Sequence, residues 1–218
     1  MQAEEELSLN DIENAKTEWL KARDNAINQA ETLLSLGLHK QITNRLLEPW
    51  LWQTVIVTST EWDNFFALRC DKNAQPEIQK IAIMMREAYK INEPEFLRND
   101  QWHLPLIYEE GGDMKNLINK FGYEGIARIS CGRCARISYL THDGQRDPEA
   151  DIILSENLLK NGHMSPFEHV AIPIDEKTYK HIIYKKQSSL WSGNHRGWVP
   201  YRATIKNEDI WKPIISNP

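Results

Sequence analysis

The stretch Gly162-His163-Met164-Ser165-Pro166-Phe167-Glu168-His169 gathers two imidazoles, a carboxylate and a hydroxyl within eight residues. Pro166 fixes its own φ and disfavours helical backbone at Ser165, so these groups are offered from a turn. Such groups can hydrogen-bond a polar heterocycle and set charge beside it, which a core does not require. A metal is the lesser reading. His163 and His169 stand six apart, which is not one helical face, and Glu168 is the obvious third ligand.

Further donors are spread along the chain. In Glu61-Trp62-Asp63-Asn64-Phe65-Phe66-Ala67-Leu68-Arg69, Asn64 and Leu68 lie one turn apart on a shared face and Arg69 adjoins it. Guanidinium groups suit planar recognition of carbonyls and phosphates. On spacing alone the plainer reading leads, in which Arg45 pairs with Glu48 and Arg69 with Asp71 on a solvated surface. Arg133 and Arg136 fall one turn apart with Ser138 just beyond, which reads as a basic helix end complementing the dipole. Ser189 to Trp198 combines glycine, amide, imidazole and guanidinium with two tryptophans, a turn that suits a phosphate or a flat ring. Cys131-Gly132-Arg133-Cys134 has metal-ligand spacing, but Cys70 is the only other cysteine. A tetrahedral site would need a second pair, so small residues on one helical turn are preferred. A dinucleotide-binding fingerprint, a P-loop and a G-x-S-x-G elbow are all missing from the sequence.

The elements that must position these groups are mostly helical. At 218 residues and a net charge of −5, the chain is one large domain or two small ones, with no general attraction to nucleic acid or anionic membrane. It has no apolar run of membrane-spanning length and its acidic start is unlike a signal peptide, so a cytoplasmic location is expected. A helix is predicted over residues 9–36, capped by Ser8 or Asn10 and stopped by Gly37. Another is predicted over 39–48. Leu51 to Ser59, rich in β-branched residues, is predicted to be a strand. A helix capped by Ser59 or Thr60 should reach Arg69, and Pro76 should open the next. Residues 92–112 read as loop. Helices are expected over 125–139, from Asp147 or Asp151 to Lys160, and over 177–184, with a strand over 169–175.

Together these segments resemble the flavin-dependent thymidylate synthases. One block, with HKQITNRLLEPW, VIVTSTEWDNFFALR and AQPEIQKIA, looks like the C-terminal half of common members. A second, CARISY through GHMSPFEH, looks like their N-terminal half. The reversed order, and the SGN-x-RGW-x-x-YR segment from Ser192 to Arg202, are similar to long, phage-encoded members.

The resemblance implies an α/β (α+β) fold, an antiparallel sheet flanked by many helices. It implies a single domain over 1–218, with 1–91 and 113–218 as the permuted blocks. It implies methylation of dUMP to dTMP in a bacterial or phage-infected cell, with FAD, NADPH and methylenetetrahydrofolate. Carried over by position, Arg45 and Arg69 bind dUMP, and Arg69 is the catalytic residue. Asn64, Leu68, Ser138, His163, Ser165 and Glu168 contact FAD. No metal is implied. Thr58 stands where common members have asparagine. A homotetramer is implied too. The family's arginine- and serine-rich hallmark is absent, and Met1 aligns inside the long members. The resemblance therefore implies a C-terminal portion completed by a separate chain. Alternatives are a non-catalytic remnant or assembly partner, and a pyrimidine-hydroxymethylating enzyme.

Overall fold

A computed structural model describes residues 7–107, 113–137, 147–175, 194–206 and 208. Ser138, the expected helix over 177–184 and the first part of the glycine-containing turn, 189–193, lie outside the described residues. The fold is α+β, mostly helical with a small antiparallel two-stranded sheet. Among the described residues no helix is long and apolar enough to cross a membrane. Two compact units emerge: Met1–Gln53 with Lys72–Ile78, and Thr54–Asp71 with Gln79–Pro218.

The first unit is built on α1 (Leu9–Ser35). The Ser8 hydroxyl accepts from the Asp11 N–H at 3.2 Å, satisfying a donor that the helix itself cannot. Gly37, at φ 88°, ends it. Its N–H reaches Leu34 O at 2.9 Å and the Leu38 N–H reaches Leu33 O at 3.0 Å, the paired bonds of a Schellman stop. The His39 imidazole caps α2 (Lys40–Thr43), which runs into a 3-10 turn, Asn44–Trp50, that tolerates Pro49. Trp50 packs against Trp19 of α1 at 5.6 Å, and Ala30 and Thr43 are buried.

The second unit carries α3 (Asp63–Arg69) and most of α4 (Pro76–Ile91). It also contains α5 (Asp113–Ala135), α6 (Pro148–Lys160), β1 (Ala171–Pro173) and β2 (Trp198–Pro200). Ala171 faces Pro200 in the antiparallel pair, and His103 adds one bridge to Ala171. Ala127 and Cys131 of α5 pack with Phe167, Val170 and Tyr201 in one core. Ile126 and Ile129, with Leu117 and Ile107, form a second.

α5 and α6 meet at Gly132 with no room to spare. A Cβ there would lie 2.4 Å from Asp151 O and 2.9 Å from its Cα. The contact buries Asp151 between two arginines, Arg133 Nε at 3.4 Å from Oδ2 and Arg136 Nη2 at 3.3 Å from Oδ1. Burial pushes the Asp151 carboxyl up, and the guanidiniums of Arg136 and Arg133 oppose that shift. Arg133 also donates to Leu106 O at 2.9 Å, and the Ser130 hydroxyl donates to Pro105 O at 2.7 Å. These bonds hold Leu106 at φ 64°, a conformation a leucine does not adopt unaided.

Several sequence expectations are corrected here. Residues 51–59 form no strand. β-branched residues favour extended backbone, but a strand needs a neighbour, and among the described residues none pairs with this segment. Val55 and Val57 are exposed. The helix expected from 125 begins at Asp113 and is broken by Gly122, at φ 69° and ψ 178°. Ser59 and Thr60 do not cap α3, which starts after Trp62 with no side-chain cap bond. The strand expected over 169–175 narrows to three residues. Arg133 and Arg136 do not simply complement a helix end; both bind Asp151. The loop read over 92–112 is anchored in its later part, where Ile107 joins the core.

Two substitutions test this crossing. Gly132→Ala should lower stability by about 1–3 kcal/mol, because backbone must move to admit the methyl. Asp151→Ala should cost about 3–5 kcal/mol, because it removes the buried carboxylate that Arg133 and Arg136 share. Urea denaturation of the full chain measures both, and a loss near zero in either would show that the helices separate easily.

Candidate functional site

The site is reached from the end of α6. Gly162, at φ 75°, closes that helix with bonds from its own N–H to Leu159 O, 3.2 Å, and from His163 N–H to Leu158 O, 2.9 Å. The chain then enters a 3-10 turn, Ser165–Glu168. Phe167 anchors the turn: it is fully buried and stacks on Tyr201 at 6.0 Å. With Phe167 inside, His163 and Ser165 remain exposed and Glu168 is half-buried. The Glu168 carboxylate pairs with Arg202, whose Nε also binds Glu208 at 2.6 Å. The main-chain O of Glu168 accepts from buried His195 Nε2 at 3.2 Å.

His169 turns the other way, and its Nδ1 lies 3.0 Å from Thr58 Oγ1. This joins the turn to the segment leading into α3. Asn194 holds that segment as well. Its amide donates to Thr58 O at 3.1 Å, and its main-chain O accepts from Thr60 N–H at 3.0 Å and from the Ser59 hydroxyl at 3.2 Å. Arg196 N–H donates to Thr60 Oγ1 at 2.8 Å. The Trp62 indole donates to Ser59 O at 3.0 Å and its ring stacks on Phe66.

Three imidazoles share this region, and all have lowered proton affinity. Desolvation is the first cause for His169, with Glu168 opposing it and His195 adding to it. Desolvation also leads for His195, against the raising effect of Glu168. His103 is exposed at its surface, and its shift comes from partial desolvation and then from the charges of His195 and His169. Beside His103 opens a cavity of about 270 Å³, lined in part by Trp102, Leu104, Ile107, Met114 and Tyr123. None of the residues singled out from the sequence lines it.

On α3, Asn64, Leu68 and Arg69 are all exposed. Arg45 is exposed on the 3-10 turn of the first unit. Among the described residues neither Arg45 nor Arg69 has an ion pair, so the pairings with Glu48 and Asp71 do not form. The structure thus brings the turn bearing His163, Ser165 and Glu168 and the segment leading to Asn64, Leu68 and Arg69 into one unit, tied through Thr58, His169 and Asn194. Sequence reasoning missed Asn194, His195 and Arg202 as the residues that tie it. Asn194 and His195 stand in the turn read as suiting a phosphate or flat ring, and Arg202 in the segment that carries the resemblance.

Cys131 and Cys134 are buried free thiols, and burial pushes both up, Cys134 to about 12. They are packing residues of α5, as their small size predicts. Among the described residues no group of three or more His, Cys, Asp or Glu side chains is placed to hold a metal.

Residues 2–95 match the family model of the thymidylate synthase complementing protein. Over that stretch the chain resembles this family. The match covers the block that carries Arg45, Asn64, Leu68 and Arg69; GHMSPFEH lies outside it. Comparison with curated proteins and with solved structures gave no match.

The lowered histidines make stability depend on pH. The folded state holds these imidazoles neutral, whereas the unfolded chain takes up protons near the ordinary value of 6.5. Below that value the unfolded state binds more protons, so their effect is absent at pH 8 and increasingly destabilising as pH falls past about 6.5. The urea midpoint should therefore be lower at pH 5.5 than at pH 7.5. A midpoint that rises on acidification would contradict neutral, desolvated imidazoles.

Proposed function

We propose that this chain forms the substrate- and flavin-facing part of a flavin-dependent thymidylate synthase that converts dUMP to dTMP. One observation carries the reading. The two segments that resemble opposite halves of the family, from Thr58 to Arg69 and from Gly162 to His169, are joined through the Thr58–His169 hydrogen bond.

The residues present suit a flavin and a nucleotide. Asn64 offers an amide and His163 and Ser165 an imidazole and a hydroxyl, all exposed, while exposed Leu68 gives apolar surface for a ring. Glu168 serves through its bond to Arg202, which fixes the turn that displays His163 and Ser165. Ser138 completes the set by resemblance. When bound, FAD supplies the hydride, recharged by NADPH, and methylenetetrahydrofolate supplies the carbon. The chain's own part is orientation and electrostatics. Arg69, with no ion pair among the described residues, can meet a uracil carbonyl or the phosphate and stabilise negative charge developing on the ring. Arg45 offers the same chemistry in the first unit. Burial makes the Cys131 and Cys134 thiols poor nucleophiles, consistent with a methyl transfer that uses no enzyme thiolate.

The resemblance further supports completion of the site by an arginine- and serine-rich segment, in an oligomer whose family form is a homotetramer. The test is to purify the chain with and without a polypeptide carrying that segment. Bound-flavin absorbance and tritium release from 5-labelled dUMP should appear in the mixture. Neither signal in either sample would leave a remnant that keeps the fold without the chemistry. In the active mixture Arg69→Ala should weaken dUMP binding roughly tenfold or more, the worth of a charged hydrogen bond. Unchanged affinity by titration calorimetry would remove Arg69 from the site.

A further inference from the structure

α3 lacks the means to fix its own position. It has seven residues and no side-chain bond at its N-terminus, and a helix of that length is not stable by itself. What precedes it is held by no sheet, since residues 51–59 have no strand partner among the described residues. Yet α3 carries Asn64, Leu68 and Arg69, whose direction matters most if this surface meets a nucleotide.

We propose that Asn194 is the positioning residue for α3, acting as a one-residue substitute for the missing neighbouring strand. In a parallel ladder, one residue donates to the C=O of one partner residue and accepts from the N–H two positions on. Asn194 makes this pair of bonds across from Ser59, to Thr58 O at 3.1 Å and from Thr60 N–H at 3.0 Å. Its side-chain amide supplies the donor that a strand would take from its main chain. The Ser59 hydroxyl, donating to Asn194 O at 3.2 Å, and Arg196 N–H, donating to Thr60 Oγ1 at 2.8 Å, close the clasp on both sides. Next along the chain, His195 bonds Glu168 O. The segment therefore grips the entry to α3 and the turn bearing Glu168 together. The consequence for dUMP rests on the reading of α3 as the nucleotide face; the grip itself does not.

Hydrogen exchange on the full chain, with Asn194→Ala and the near-isosteric Asn194→Asp, tests the role. Loss of one hydrogen bond should raise exchange of the amides from Thr60 to Arg69 roughly three- to tenfold. Amides of α5 from Ile126 to Cys131 and the Tm should stay nearly unchanged. Binding of dUMP should weaken by a similar factor, an effect that general loss of stability would not give at constant Tm. Unchanged exchange over residues 58–69, or acceleration spread evenly over the chain, would overturn the proposal. If the unsubstituted chain, with the completing segment present, takes up no dUMP, the nucleotide reading of α3 fails, and the exchange result still decides the role of Asn194.

Discussion

The close approach of α5 and α6 at Gly132 is the constraint from which the second unit is built. A single methyl at that position would collide with the backbone of Asp151. Because the helices touch there, the Asp151 carboxylate is buried, and two guanidiniums on one face of α5 neutralise it. Neither feature is stable without the other: an unpaired buried carboxylate would be expelled, and a bulkier residue at 132 would separate the charges. The same Arg133 reaches on to hold the strained Leu106 carbonyl. One contact thus fixes a helix pair and the backbone at Leu106.

From this crossing the order passes outward. α6 is set against α5, and Gly162 turns its end at a defined angle. Phe167 then enters the core and His169 is carried to Thr58. At that point regular structure stops. The peptide groups from Thr58 to Thr60 are bound by a side chain and a short polar segment in place of a sheet. A site held this way is assembled from separate parts of the sequence, each contributing one or two bonds. Its integrity therefore depends on long-range contacts more than on local propensity.

That difference explains what the sequence made legible. Ser8, Gly37 and Asp147 mark helix ends through bonds spanning a few residues, and Pro76 through its fixed φ, so local chemistry places α1 and the starts of α4 and α6 closely. The small residues of the Cys131–Cys134 turn were likewise readable as packing. Residues 51–59 were not, because strand formation is decided by a partner elsewhere in the chain. The start of α5 was open to reading, since Met114, Leu117, Ile118 and Phe121 recur at helical spacing, and Gly122 breaks the helix after them. Asp151 could not be paired with Arg133 and Arg136 before α5 and α6 were packed. Within the candidate site, the polar turn and the α3 face could be named from residue types. Their connection through His169, Asn194 and Arg202 belongs to the tertiary structure.

Thr58 and His169 bond to each other, and on the proposed reading this bond makes one site of the two segments. A double-mutant cycle with Thr58→Val and His169→Ala measures this bond directly in urea denaturation at pH 7.5. The single substitutions should each destabilise the chain, and the pair should fall short of their sum by about 0.5–1.5 kcal/mol, the coupling of a hydrogen bond made between them. Strict additivity would mean that the two segments do not meet at these residues, and the site described here would come apart.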